Sequence, residues 1–272
     1  MTLADRKPAQ RRDDIPADVL QALSEGRIES ISLAEWYAID YRVLLQTVLP
    51  QVGLAEDVEK ADALYKKFAD EKGITRIKSV GRLLHGLTKN RPDRDEILDK
   101  LAAHTSDAVR AWAAWIIAAD DDLSLDKRLE TAKRFATDRA ISVRENAWDS
   151  FRRHVIADLD RGLQLLEPWV HDEDKNIRRC AVEGTRPRGV TTVHIVALKK
   201  DPELALRLIE PVRSDPSRYV QNAVANWLND ASKDAPEWVV DLTDQWSEES
   251  PTKETSYIVN RALRTLRKKG RA

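Results

Sequence analysis

Cysteine, glycine and long apolar runs are what this sequence has least of. Its 272 residues include one cysteine, Cys180, so no disulfide can form within the chain. A reducing compartment is expected on that count. Glycine occurs 9 times, which argues against many tight turns and strands. The five histidines, at 85, 104, 154, 171 and 194, show no paired spacing such as His-x3-His. No metal site and no cofactor are expected. No apolar run approaches the ~20 residues needed to span a bilayer. The opening stretch MTLADRKPAQRRDDIP is polar and mixed in charge, without the apolar centre of a signal peptide. A cytoplasmic protein without a membrane partner is expected. Apolar residues make up 42% and charged residues 33%, which fits much solvated helix surface.

Net charge is −1, which by itself does not point to nucleic acid. Its distribution says more. Between Lys253 and Ala272 seven bases stand against Glu254 alone. A clustered basic face matters more than a basic total. The plain alternative is a solvated tail.

What is abundant is a repeat. SDAVRAWAAW (106–115), DRAISVRENAW (138–148), DEDKNIRRCAVEG (172–184) and SDPSRYVQNAVANWLND (214–230) share one pattern. An acidic or Ser/Asp start leads to a β-branched residue followed by Arg or Gln. The anchors are Val109, Val143, Ile177 and Val220, at spacings of 34, 34 and 43 residues. SPTKETSYIVNRALRTL (250–266) supplies a fifth, Ile258. Further helices are expected between them, at 124–136 and 158–170, and upstream at 32–49, 58–71 and 76–87. Asp201-Pro202 and Asp215-Pro216 read as helix starts, with aspartate capping and proline preset for the first turn. Paired helices at this period with no strand signal predict an all-α fold. The expected architecture is an α-solenoid of HEAT-like repeats with a long concave surface for a large ligand. Residues 1–30 are set apart as a polar segment, expected to be partly disordered. Residues 31–272 are expected to form one repeat domain.

Offsets from the anchors single out a strip of acids. Glu145 lies at +2, Asp149 and Glu183 at +6, and Asp230 at +10. At about 100° per residue these fall near 200°, 240° and 280°, away from the anchor face. Trp115, at +6 in the first unit, joins them off the core face. Charged non-core positions are ordinarily solvated, and only the shared strip distinguishes these. Trp148 and Trp227 lie nearer the packing faces. Cys180 reads as a small buried side chain.

The stretches VEGTRPRG, DPSRYVQNAVANWLNDASKDAP and PTKET…RALRTLRKKG resemble the HEAT-like-repeat DNA alkylpurine glycosylases of the AlkC/AlkD group, and the AlkC branch above all. LAEWYAIDYRVLLQTVLP (33–50) is similar too. The resemblance implies excision of cationic N3-alkylated bases, such as 3-methyladenine, from duplex DNA without full base extrusion. It maps the motif acids onto Glu145, Glu183 and Asp230 as catalytic residues. Arg178, Arg179, Arg186, Arg188, Lys199, Lys200, Arg264 and Lys268 are then expected to bind DNA. Relatives continue EGTRPR with Leu-Pro-Trp, whose tryptophan faces the lesion. This chain reads GVTT, with Thr191 near that place. Trp115 and Trp148 are the candidates for an aromatic surface there. A monomer in the bacterial cytosol, acting on alkylated duplex, is the corresponding expectation. Two alternatives stand beside it: a non-catalytic repeat protein for branched or damaged DNA, and a protein-binding scaffold.

Overall fold

A computed structural model describes residues 6–189 and 192–270. Thr191 and Ala272, named above, lie outside the described residues. The protein is all-α, built of HEAT-like helical repeats, and among the described residues there is no strand. In chain order the helices are α1 Ala17–Ser24, α2 Leu33–Ala38, α3 Tyr41–Gln51, α4 Val58–Tyr65, α5 Gly73–Thr88, α6 Arg94–Ala102 and α7 Asp107–Ala119. There follow α8 Leu125–Ala136, α9 Ile141–Ala157, α10 Leu159–Leu166, α11 Lys175–Gly184, α12 Val196–Lys200 and α13 Leu206–Ile209. The last four are α14 Arg218–Ala231, α15 Pro236–Glu249, α16 Lys253–Ala262 and α17 Arg264–Lys268. Among the described residues no helix is long and apolar enough to cross a membrane.

Two compact units divide the described residues. One runs through Ser124 and takes in Asp138–Ser150; the other comprises Leu125–Thr137 and the chain from Phe151 onward. The five repeat anchors fall one each in α7, α9, α11, α14 and α16. Val109, Val143, Val220 and Ile258 are fully buried, and Ile177 is nearly so.

In the first unit α5 crosses α7 closely. A Cβ on Gly81 would lie 2.2 Å from the Trp115 Cβ, so only glycine permits that contact. Asp107, buried at the start of α7, accepts from Ser30 N at 3.0 Å, Ser30 Oγ at 2.6 Å and Ser142 Oγ at 2.5 Å. This one carboxylate ties the residues before α2 and the start of α9 to α7. Within the polar N-terminal segment, α1 buries Val19, Ala22 and Leu23.

An arginine clamp recurs directly after the anchors. Arg110 Nη1 donates to the carbonyls of His104 and Thr105, Arg144 Nη1 to those of Asp138 and Arg139, and Arg178 Nη1 to those of Asp172 and Glu173. These carbonyls precede the helix and lack partners within it. Arg110 also forks onto Asp138, and Arg178 onto Asp215, the acid that opens the next repeat. Gln221 keeps only the carbonyl bond, to Asp215 at 2.7 Å. The Asp-Pro pair at 215–216 therefore does not open α14 as its sequence suggests. The helix begins at Arg218 behind Ser217, whose N–H donates to Asp215 Oδ1 at 2.8 Å while the same carboxylate holds Arg178.

Candidate functional site

The site is built on the end of α11 and the face of α14, both in the second unit. Asp174 caps α11, accepting from Asn176 N at 2.8 Å. The helix buries Ile177, Cys180, Ala181 and Val182, which brings Glu183 to its last turn. Thr185 ends it by returning its hydroxyl to the Ala181 and Val182 carbonyls, and Pro187 bars continuation. Arg186 is thereby turned back beside Glu183. The α14 core residues Val220, Val224, Trp227 and Leu228 set Asp230 on the facing flank.

Arg186 bridges the two acids. Its Nη1 donates to Glu183 Oε2 at 3.1 Å. Its Nε and Nη2 both donate to Asp230 Oδ2, at 2.9 and 2.6 Å. The other oxygens are held by other cations: Arg179 Nη2 lies 3.5 Å from Glu183 Oε1, and Lys233 Nζ 2.8 Å from Asp230 Oδ1. Glu183 and Asp230 are each only 4% exposed. Burial alone lowers the Arg186 pKa, but the carboxylates of Glu183 and Asp230 outweigh it and hold the guanidinium above its ordinary value. Two carboxylates thus sit among three cations, joined by one shared arginine.

Around this centre the expected DNA-binding residues separate. Arg188 forks onto Asp234 at 2.8 and 2.7 Å, and Lys199 lies 3.8 Å from the same carboxylate. The hydrogen bond to Asp234 holds Arg188 up, and the bond from Arg188 holds Asp234 below the usual carboxylate range. The Arg179 guanidinium stacks 4.2 Å from the Tyr219 ring. Lys200 and Lys268 are exposed. Arg264 donates to the Arg261 carbonyl at 2.6 Å and to Asn226 Oδ1 at 2.9 Å. Burial, then repulsion from Arg261, lowers its pKa. Arg178 does not belong with these residues. Its clamp on Asp215 and two carbonyls occupies its Nε, Nη1 and Nη2, so it is a packing residue rather than a phosphate contact.

Glu145 and Trp148 belong to the first unit, where Trp148 Nε1 donates to Glu145 Oε2 at 2.9 Å. Asp149, also on the expected strip, is buried against Lys78 Nζ at 2.8 Å. Trp115 departs from expectation. Every residue of α7 from Asp107 to Ala118 is buried, so that helix has no open flank for a groove tryptophan. Trp115 is 6% exposed, donates to Asn146 Oδ1 at 2.6 Å and lies under Lys78 Nζ at 4.6 Å. Lys233 and Asp234 escaped the sequence reading. Their signal is the SKD continuation of LND, one helical turn beyond Asp230.

Comparison with known proteins bears on this same region. Residues 144–264 match the family described as DNA alkylation repair enzyme, a span that holds Glu145, Glu183, Arg186 and Asp230. The protein YhaZ of Bacillus subtilis is 39% identical over 119 residues, which is 44% of this chain and 33% of YhaZ. The solved Pseudomonas fluorescens alkylpurine DNA glycosylase AlkC, bound to DNA containing an abasic site analogue, superposes with a TM-score of 0.72 and 27% identity. That superposition covers 84% of this chain and 62% of AlkC, so the chain spans less than two thirds of either relative. AlkD2 of Streptococcus mutans shares the fold, at TM-score 0.58 and 22% identity over 75% of this chain and 96% of AlkD2. Over residues 144–264 the chain is thus similar to the DNA alkylation repair enzyme family, and its helical repeats share the fold of AlkC.

Proposed function

We propose that this protein is a monofunctional DNA glycosylase that releases cationic N3-alkylated bases, such as 3-methyladenine, from duplex DNA without extruding them fully. The observation that carries the reading is the pair Glu183 and Asp230 held on one arginine, Arg186, within the segment matched to the repair family. An N3-alkyladenine already bears positive charge and leaves without protonation. The protein's task is then to stabilise the oxocarbenium ion of the sugar and to position water, which carboxylates do in glycoside hydrolysis. One unit of negative charge ~4 Å from that cation, at an effective dielectric near 20, contributes about 4 kcal/mol. That corresponds to roughly 10³ in rate.

The surrounding cations enter the same balance. Glu183, Asp230 and Arg186 together carry one negative charge; Arg179 and Lys233 reverse the sign. Phosphates of a docked duplex supply counter-charges for Arg179, Arg188 and Lys233 and leave the acid pair its excess. Lys199, Lys200, Arg264 and Lys268 extend these backbone contacts, which position without reading sequence. The concave DNA-binding face of the repeats, the contribution of Glu145 and Trp148, and action as a cytoplasmic monomer are parts of this proposal.

The test is release of 3-methyladenine from N-methylated duplex. Glu183→Gln and Asp230→Asn should abolish release and leave duplex binding intact. Release by Glu183→Gln at the parental rate removes Glu183 from the mechanism. A second reading, a non-catalytic protein for damaged or branched DNA, is favoured by the excess of cations around the two acids. It predicts salt-sensitive binding without base release by the parent protein.

A further inference from the structure

Counted from the buried anchors Val143, Ile177 and Val220, the side chain at +9 reaches into the next repeat. Asn229, +9 from Val220, donates to the Ala262 carbonyl at 2.9 Å. Arg186, +9 from Ile177, grips Asp230. Arg152 is +9 from Val143, in the part of α9 that belongs to the second unit, and it reaches the end of α11.

Arg152 is 1% exposed. Its Nη1 donates to the Gly184 carbonyl at 2.9 Å and its Nη2 to the Arg186 carbonyl at 2.6 Å. Nε and Nη2 both donate to the Val193 carbonyl, at 3.0 and 2.9 Å. Trp227 Nε1 takes the intervening carbonyl, Thr185, at 3.0 Å. Three successive carbonyls after Glu183 are therefore held by buried side chains. The return limb is tied to the same place, since Ile195 N donates to the Pro187 carbonyl at 3.0 Å. A helix C-terminus presents orphan carbonyls and negative dipole charge, and a guanidinium answers both with N–H groups in a fixed fork. A lysine offers a single point of charge and cannot span carbonyls from Gly184 to Val193.

We infer that Arg152 is the positioning residue of the acid pair. It fixes the main chain at Gly184, Arg186 and Val193, and so aims the Arg186 guanidinium between Glu183 and Asp230. Its hold on the Arg186 carbonyl is the route by which it acts on the acids. The inference rests on the reading of that pair as the reaction centre.

The test uses the full chain with Arg152→Lys and, as a second variant retaining an amide donor, Arg152→Gln. Each is first matched to the parent by circular dichroism. Amide hydrogen exchange is followed from Thr185 to Ile195, and single-turnover release of 3-methyladenine is measured at saturating protein alongside duplex Kd. Exchange in that segment should accelerate about tenfold or more while α14 keeps its protection. Release at saturation should fall about 100-fold, the scale of a misplacement near 1 Å, with Kd changed by less than about threefold. A purely structural loss lowers the folded fraction and leaves that saturating rate unchanged. Parental exchange in both variants, or parental release by both, overturns the inference. A parent that releases no base sinks the reaction-centre reading instead, and the exchange result then decides by itself whether Arg152 sets the main chain at Arg186.

Discussion

Both ends of α11 hold an arginine against an aspartate of the following repeat, yet the two junctions differ in kind. At the start, Arg178 meets both oxygens of Asp215, at 2.6 and 3.1 Å, and spends its remaining nitrogen on two carbonyls. At the end, Arg186 puts two donors on one oxygen of Asp230 and the third on Glu183. Burial does not separate them: the arginine side chains are 13% and 17% exposed. The ratio of acids to arginines does. One acid for one arginine is a closed, neutral pair. At the other end two acids share Arg186 while Arg179 and Lys233 take their outer oxygens, so the cluster of two acids and three cations is not a closed pair. The first arrangement is a packing contact; the second is the one that the proposed function assigns to the reaction centre.

Breaking the closed pair should cost most. Arg178→Ala strands the Asp215 carboxylate in the interior and should lower stability by about 3–5 kcal/mol. Thermal melting should fall by roughly 10 °C, with saturating base release per folded molecule unchanged. Arg186→Ala should cost less, about 1–3 kcal/mol, because Arg179 and Lys233 still reach the two acids. It should nonetheless abolish release. Equal stability losses in these two variants, with equal effects on release, would erase the distinction between the junctions.

Arg188→Ala should matter least to the fold, since its pair with Asp234 is more than a fifth exposed on each side and worth under about 1 kcal/mol. Its effect should appear in DNA binding, where the slope of log affinity against log salt becomes shallower by about 0.9 for each phosphate that the protein no longer neutralises. Its contribution to stability has a definite pH sense. Arg188 holds the Asp234 carboxyl below its ordinary value. The pair therefore stabilises the fold above the ordinary aspartate pKa of about 4 and stops doing so as pH falls through the lower folded value. Melting curves of parent and Arg188→Ala, distinct at neutral pH, should converge on acidification.

Much of this was legible in the order of residues. The anchors Val109, Val143, Ile177, Val220 and Ile258 are buried as their spacing predicts, since a helix repeats its faces by a local rule. Offsets of +6 and +10 brought Glu183 and Asp230 together correctly. The same counting failed for Trp115, because α7 is enclosed on every side. It also missed that Asp149 answers Lys78 from a different helix. Arg178 was misread although its signal was present. Arg110, Arg144 and Arg178 follow their anchors directly, and Asp138, Asp172 and Asp215 precede theirs by five residues. A repeated Arg and a repeated Asp in fixed register describe a clamp, whereas Arg186 has no such counterpart acid in register.

Helix positions, core faces and the stock of charges along them follow from amino-acid order, because 3.6-residue periodicity acts over a single turn. Which arginine closes on its acid and which is shared was settled by the packed repeats. The partners lie 37 residues apart for Arg178 and Asp215, and 44 apart for Arg186 and Asp230. An ion pair depends on ångström-scale separation and on burial, and neither is carried by angular position on one helix.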